Sequence, residues 1–236
     1  MVRKKVIFLI VGPYFLFTNC KINQPESVRA RFAVFCFLEE GKSQQKIKIE
    51  PIHYFDSNDT ADLLSFQIKI ESELGNIVFF PCSESIGQYI NNHALDWLIP
   101  LFEYKLLAIN SRGDTLKGQT FVPAKFFICN HPETLLIQDS TKAALTWGKS
   151  ETAAIYMLNF IPFDDGNQVS FFTKDTTINL FFYKDFFEKE GLYLLKVFAL
   201  DKNTYQWELN ETSSIVGGKG VFGAFTQDST HFYLSK

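Results

Sequence analysis

Histidines and cysteines are the residues of this sequence whose side chains could hold a metal ion or act as nucleophiles. The four histidines are far apart: His53, His93, His131 and His231. None belongs to an H-x-x-x-H or H-E-x-x-H pair, which would place two imidazoles on one helical face. Cys129 and His131 could supply two zinc ligands, but Pro132 follows them and no second pair completes a tetrahedral set. The sequence therefore predicts no metal site, and it contains no Gly-x-Ser-x-Gly motif or other catalytic constellation.

The three cysteines in the body of the chain show no metal-type spacing either. They are Cys36, Cys82 and Cys129. One disulfide would fit an exported protein and would leave an odd cysteine. Cys36 lies between two phenylalanines and Cys129 follows a Phe-Phe-Ile run, so buried free thiols that pack as small apolar residues are favoured.

One glycine-rich segment matches a nucleotide-binding pattern by its letters alone. Residues 218–223 read G-x-G-x-x-G. A dinucleotide-binding fingerprint follows a strand, opens a helix and precedes an acidic residue about 20 positions on. Only 13 residues follow Gly223, and they do not start an obvious helix, so the segment predicts a glycine-rich β connection and no cofactor. Asp164 and Asp165 lack the alternating oxygen ligands of a calcium loop and predict a hairpin turn.

Two tryptophans, Trp97 and Trp207, are the candidates for stacking on a ligand. Both lie in segments without regular strand alternation. An exposed tryptophan can stack on a sugar or on a partner's side chain. Core packing is the competing interpretation for both residues, and it is favoured.

The N-terminus contains the most distinctive cysteine. Arg3, Lys4 and Lys5 precede an apolar run of 12 residues, Val6–Phe17, which ends shortly before Cys20. A membrane-spanning helix needs about 20 apolar residues, so this run has the length of a signal-peptide core instead. The segment resembles a bacterial lipoprotein signal, with Thr18 at its small-residue position. That resemblance implies cleavage before Cys20, lipid on the Cys20 thiol and a short tether, so that residues 1–19 form the signal peptide and residues 20–27 the lipidated tether.

The charge of the remaining chain limits what could bind to it. Without residues 1–19 the chain has 20 Lys and Arg against 26 Asp and Glu, a net charge of about −6. This balance disfavours nucleic acid as a partner, and it disfavours an electrostatic hold on anionic lipid. The expected membrane attachment is therefore covalent, and two or more acyl chains would make it stable.

Short alternating segments predict an all-β fold. In Gln45–Ile52, isoleucines alternate with lysine and glutamate, which is the pattern of a half-buried strand. Further strands are predicted at 28–38, 66–70, 77–80, 103–109, 115–122, 125–129, 143–147, 154–162, 169–173, 178–182, 193–200 and 231–234. Their regular turns favour two tandem antiparallel β-sandwiches, at residues 28–123 and 124–236.

The second unit resembles a fibronectin type III domain. The resemblance rests on Leu145-Thr146-Trp147, on Ala154–Leu158 and on Gly191–Ala199. It implies that Trp147 lies between two sheets, with Tyr156 packed near it. The alternation of Tyr193, Leu195, Val197 and Ala199 on one strand face agrees with this independently.

Taken whole, the chain resembles a family of Bacteroidota outer-membrane lipoproteins in which an Ig-like unit precedes a fibronectin-like one. The features that suggest it, in their order along the chain, are Glu103–Leu106 with the hairpin at Gly113, then Thr120–Pro123, Trp147, Asn203–Tyr205 and Gly217–Gly223. The resemblance implies an outer-membrane location, on either the periplasmic or the surface face, and an association with TonB-dependent receptors.

These observations favour a non-enzymatic, lipid-anchored cell-envelope protein that acts by binding a protein or a ligand. The expected partners are the membrane, through lipid on Cys20, and an outer-membrane receptor. A glycan-binding surface lipoprotein of a nutrient-uptake system is the first alternative. An enzyme with an unrecognised site is the second, and it would require acidic, histidine or cysteine side chains that converge in a cleft.

Overall fold

A computed structural model describes residues 31–52, 62–94, 97–130 and 132–236. Strands make up most of the regular structure of these residues, together with one longer α-helix, one 3-10 helix and a short helical segment at 62–64, and the predicted all-β fold is confirmed. The strands are β1 Phe32–Glu39, β2 Gln45–Pro51, β3 Gln67–Ser72, β4 Gly75–Pro81, β5 Gln88–Asn91, β6 Glu103–Ile109, β7 Thr115–Phe121, β8 Ile128–Asn130, β9 Thr134–Leu136, β10 Ala144–Trp147, β11 Ile155–Pro162, β12 Val169–Thr173, β13 Thr177–Asn179, β14 Gly191–Leu200 and β15 Lys219–Ser235. Helix α1 is Lys202–Asn210, and the 3-10 helix is Leu180–Phe186.

The first core is enclosed by strands β1 to β7 together with the start of β15. Strand β4 passes between its two layers, because residues 75–79 pair with β3 and residues 80–81 pair with β5. On β2 the alternation predicted from the sequence is observed: Ile47 and Ile49 are buried, whereas Lys46 and Lys48 are exposed. Burial of this apolar face supplies the driving force for the layer.

The second core lies between two smaller layers. One is β12-β11-β14-β15 with β9 at the end of β15, and the other is β13-β10-β8. Trp147 is buried in this core, and its ring lies 5.6 Å from that of Tyr156 in an edge-to-face arrangement. Both residues therefore pack as the resemblance to a fibronectin type III domain implies.

The last strand, β15, contributes residues to both cores and is the main connection between them. Its first part pairs in parallel with β1, through Lys219 to Phe225, and its second part pairs antiparallel with β14, through Phe225 to Leu234. Phe222 accordingly packs in the first core and Phe232 in the second. The division of the chain at residues 123 and 124 stays a prediction. Strand β15 lies after that division in sequence but pairs with strands from both sides of it.

Several segments differ from the predicted strands. Helix α1 and the short strands β5 and β9 were not predicted, and the segment predicted to form a strand at 178–182 leaves β13 at Asn179 and becomes the 3-10 helix. There the Asn179 side chain accepts a hydrogen bond from the Phe181 backbone N–H and caps the helix. The predicted turn at 217–223 is mostly strand, because its glycines admit close backbone neighbours. Within the described part of the chain, no helix is long and apolar enough to cross a membrane.

Candidate functional site

The buried carboxylate of Asp201 holds together three elements at the junction of the two cores. Asp201 is 4% exposed, and it caps α1 by accepting a 2.8 Å hydrogen bond from the Thr204 backbone N–H. The same oxygen accepts from the Ala224 N–H on β15, and its other oxygen accepts a 2.6 Å bond from the Thr120 hydroxyl on β7. A buried carboxylate needs such a set of donors, since an unpaired one would be costly.

Helix α1 lies against the face of β15 that points away from the first core. A Cβ atom added at Gly223 would lie 2.2 Å from the Thr204 hydroxyl, so only glycine lets the helix approach this closely. The Asn203 amide donates to the backbone carbonyls of Gln119 and Phe222, at 2.6 and 2.8 Å. These contacts fix α1 to both β7 and β15.

Of the two candidate stacking residues, Trp97 is a core residue. Its side chain is 5% exposed, its indole N–H donates to the Asn91 side chain at 3.2 Å, and its ring packs edge-on against Phe79 and Tyr104. A ring with no free face cannot stack on a sugar. The structure therefore corrects the stacking expectation for Trp97 in favour of core packing.

Trp207 lies on α1 and is partly buried. Its ring packs edge-to-face on Phe35 of β1, with the ring centroids 5.4 Å apart. Phe35 and Phe37 line an open depression of about 480 Å³, beside the β1–β2 turn. Two polar side chains of this depression already have partners: Gln45 bonds the backbone of Glu39, and Gln44 donates to Asn92. Trp207 therefore lies beside this aromatic surface, and its ring, packed on Phe35, does not form an exposed stacking surface of its own.

The other residues with chemical potential are dispersed. Among the described residues, no group of three or more His, Cys, Asp or Glu side chains could hold a metal ion. His93 and His231 are exposed and belong to separate parts of the fold, whereas His53 and His131 lie outside the described residues. The G-x-G-x-x-G segment runs into β15 and opens no helix, so it lacks the context of a dinucleotide site.

The described cysteines are all free, with no disulfide among them. Cys36 is buried, as predicted, and burial raises the pKa of its thiol far above the ordinary range, which keeps it protonated and unreactive. Cys82 is half-buried. Cys129 is exposed, and its predicted burial is wrong because it lies on the short strand β8 with its side chain outward. Cys20 lies outside the described residues.

A second aromatic surface surrounds β12, at the end of the sheet. The Phe171 ring lies 4.8 Å from Tyr183 and 5.7 Å from Phe186, both on the 3-10 helix. Phe186 is 47% exposed and Phe172, on the opposite face of β12, is 41% exposed. Contiguous exposed apolar patches are candidate contact surfaces.

Asp201 was missed in the sequence, although a signal for it exists. The run Asp-x-x-Thr at residues 201–204 has the N-cap residue that starts a helix, and Tyr205 to Leu209 follow without Gly or Pro. The β12 surface had no comparable signal, since a strand's sequence does not show whether it lies at a sheet edge.

Comparisons with known proteins identify no family. No protein-family model matches the chain, and no curated protein matches it in sequence. Among solved structures it is similar to a tetra-tandem repeat in the extending region of a large adhesion protein, with a TM-score of 0.29 and 12% identity over 86% of this chain and 49% of that one. It is also similar to the FN1-FN3 domains of chicken CNTN1, with a TM-score of 0.27 and 13% identity over 86% and 65% of the two chains. A cytokine receptor complex aligns with a TM-score of 0.33 and 8% identity over 84% and 94%.

These similarities are weak, and the chain spans only 49% and 65% of the length of the first two structures. TM-scores below 0.5 support no conclusion about function. The all-β fold of this chain is established by its own strands and its two apolar cores.

Proposed function

We propose that this chain is a non-enzymatic, lipid-anchored protein of the cell envelope that acts by binding another protein. The observation that carries the proposal is the position of Cys20, directly after a basic start and an apolar run of signal-peptide length. Lipid on this thiol would hold the chain at a membrane surface, where the two β units display their side chains.

The exposed aromatic residues support a binding role. Phe127, Phe182 and Phe80 are 71%, 75% and 63% exposed, which is unusual for side chains of this size. Each such ring gains free energy when a partner covers it, at about 25 cal/mol per Å² of apolar surface. The resemblance to outer-membrane lipoproteins suggests the outer membrane as the location and a TonB-dependent receptor as the partner.

Fractionation of native membranes tests the anchor. The wild type is expected in the outer-membrane fraction, and Cys20→Ala is expected in the soluble fraction, because one thiol carries the lipid. Cys129→Ala, which removes an exposed thiol elsewhere, is the matched control and is expected to stay with the membrane. Membrane association of Cys20→Ala equal to that of the wild type would reject the anchor. Cross-linking and pull-down from the same membranes then test the receptor.

Glycan binding is the second candidate, and the aromatic depression at Phe35 and Phe37 favours it. Phe35 and Phe37 line this depression, and its volume of about 480 Å³ lies in the range of small-molecule sites. Affinity electrophoresis in polysaccharide gels tests it. Retardation that Phe37→Ala abolishes would support the site, whereas wild-type mobility unchanged by every polysaccharide would reject it.

A further inference from the structure

Strand β12 leaves one edge of its sheet open. It is the terminal strand, and among the described residues it pairs only with β11, from Tyr156 opposite Thr173 to Phe160 opposite Val169. In an antiparallel pair, alternate residues direct their N–H and C=O groups away from the partner strand. Half of the backbone groups of β12 therefore face outward along a free edge.

This edge lacks the features that usually protect a terminal strand. Its sequence, Val-Ser-Phe-Phe-Thr, contains no charge and no proline, and its pairing with β11 runs without a bulge. Natural proteins block exposed edges with such features, because an unblocked edge pairs readily with another strand. The opposite end of the sheet, β7, is protected: Lys117 lies on it and forms a bridge with Val216.

Side chains on both faces of the edge would contact an added strand. On the inner face, the half-buried Phe171 packs against Tyr183 and Phe186 of the 3-10 helix, and these three rings form an apolar ledge. On the outer face, Phe172 is exposed beside Met157 of β11. A strand that hydrogen-bonds to β12 alternates its side chains between the same two faces, so apolar residues at alternate positions would lie on the ledge.

The two ends of β12 carry exposed acidic residues. Asp164 and Asp165 lie in the loop 163–168 that precedes the strand, and Asp175 follows it, next to Lys174. Among the described residues none of these three carboxylates forms an ion pair. Unpaired carboxylates attract lysine or arginine, so a complementary strand would be basic beyond its apolar centre.

We propose that β12 is a docking edge for an extended segment of a partner protein. The segment adds as a new outermost strand, places alternate apolar residues on the Phe171, Tyr183 and Phe186 ledge, and carries basic residues at its ends. This inference rests on the proposed function, since it names the surface and the partner chemistry of a protein that acts by binding. Its test uses purified protein and no membrane, so that failure of the edge and failure of the anchor are distinguishable.

The probe is a nine-residue peptide with alternating valine and threonine at its centre and two lysines at each end. Calorimetry with the full-length chain is expected to show one site, and hydrogen exchange is expected to slow at least fivefold in residues 169–173. Phe172→Lys adds a charge of the kind that blocks natural edges and is expected to weaken binding at least tenfold. Val78→Lys is the matched control, because Val78 is an exposed apolar residue on the internal strand β4. It should bind the peptide as the wild type does.

Two further comparisons separate backbone pairing from charge. The same peptide N-methylated at every central residue cannot donate backbone hydrogen bonds and should not bind. Replacing Asp164, Asp165 and Asp175 by asparagine should weaken binding about fivefold, in line with three exposed ion pairs, and the loss should shrink at high salt.

Three results would overturn the proposal. The first is no binding of the lysine-flanked peptide at millimolar concentration. The second is binding that protects amides elsewhere and is unaffected by Phe172→Lys. The third is a concentration-dependent dimer, abolished by Phe172→Lys, in a protein that does not bind the peptide, which would assign the edge to a second copy of the chain.

Discussion

The hydroxyl of Thr120 donates a 2.6 Å hydrogen bond to the carboxylate of Asp201, which lies 81 positions later in the chain. Thr120 belongs to β7 of the first core, whereas Asp201 directly follows β14 of the second. The same carboxylate caps α1 and bonds the β15 backbone. One buried side chain therefore joins both cores at the strand that they share.

Loss of the Asp201 carboxylate is expected to destabilise the protein. Asp201→Ala leaves three buried donors without an acceptor, which costs about 3 kcal/mol of unfolding free energy, and Thr120→Val removes only one bond, about 1 kcal/mol. Urea unfolding measures both. Asp185→Ala, an exposed carboxylate on the 3-10 helix, is the control and is expected to change stability by less than about 0.5 kcal/mol. Equal effects of Asp201→Ala and the control would refute the role of this carboxylate.

The contact of α1 with β15 predicts a second destabilised variant. Gly223→Ala would push a Cβ atom to within 2.2 Å of the Thr204 hydroxyl and 3.0 Å of its backbone nitrogen, so the start of α1 must move. We expect a loss of about 2 kcal/mol, of the size seen for overpacked sites. Gly148→Ala is the matched control, since its added Cβ would meet nothing closer than 3.7 Å. If both variants unfold at the same urea concentration, the close approach of α1 does not contribute to stability.

The shared strand predicts that the two cores unfold together. Trp97 reports on the first core and Trp147 on the second. Trp207→Phe first removes the third tryptophan. In that background the Trp147→Phe and Trp97→Phe variants should each show a fluorescence transition in urea that coincides with the circular dichroism transition and with that of the other variant. Separate transitions at the two tryptophans would mean that β15 does not couple the cores.

Two buried tyrosines of the first core predict a loss of stability in alkali. Burial raises the pKa of Tyr89 and of Tyr104 above the ordinary tyrosine value. Their hydroxyls donate to the backbone carbonyls of Leu63 and Trp97, at 2.5 and 2.9 Å. In the unfolded chain a tyrosine ionises near pH 10. Since the folded pKa is higher, the contribution of these tyrosines to stability is fully present below about pH 10 and is lost as the pH rises through the folded pKa.

Thermal unfolding midpoints between pH 7.5 and 11.5 measure this loss. We expect a flat profile from these two groups up to about pH 9.5 and a fall above it. Tyr104→Phe should start lower, because it loses hydrogen bonds to the backbone near Ile99, but it should fall less steeply. A wild-type profile that is parallel to that of Tyr104→Phe would contradict the assignment.

Alternation of apolar and polar residues was enough to predict most strands. It identified β2 and β6 closely, because one face of each is buried and the other is not. The core position of Trp147 was implied by the resemblance to a fibronectin type III domain. The segments that were missed obtain their structure from distant contacts: β5 pairs with β2 across about 40 residues, and β9 with the end of β15.

The glycines at the start of β15 show why local signals failed there. Glycine is unfavourable in a strand interior, so residues 217–223 predict a turn. In the folded chain, a Cβ at Gly220 would lie 1.9 Å from the carbonyl oxygen of Val34, and one at Gly223 would meet α1. These approaches come from β1 and α1, which are distant in sequence, and no pattern within the segment reveals them. The open edge of β12 is likewise a property of the whole sheet.

The most direct test of the proposed anchor is the mass of the mature N-terminal peptide, taken from protein extracted from native membranes with detergent. We predict that this peptide begins at Cys20 and carries at least two acyl chains, since one chain gives only marginal attachment. A mature chain that begins at any other residue, or a Cys20 with a free thiol, would contradict the account.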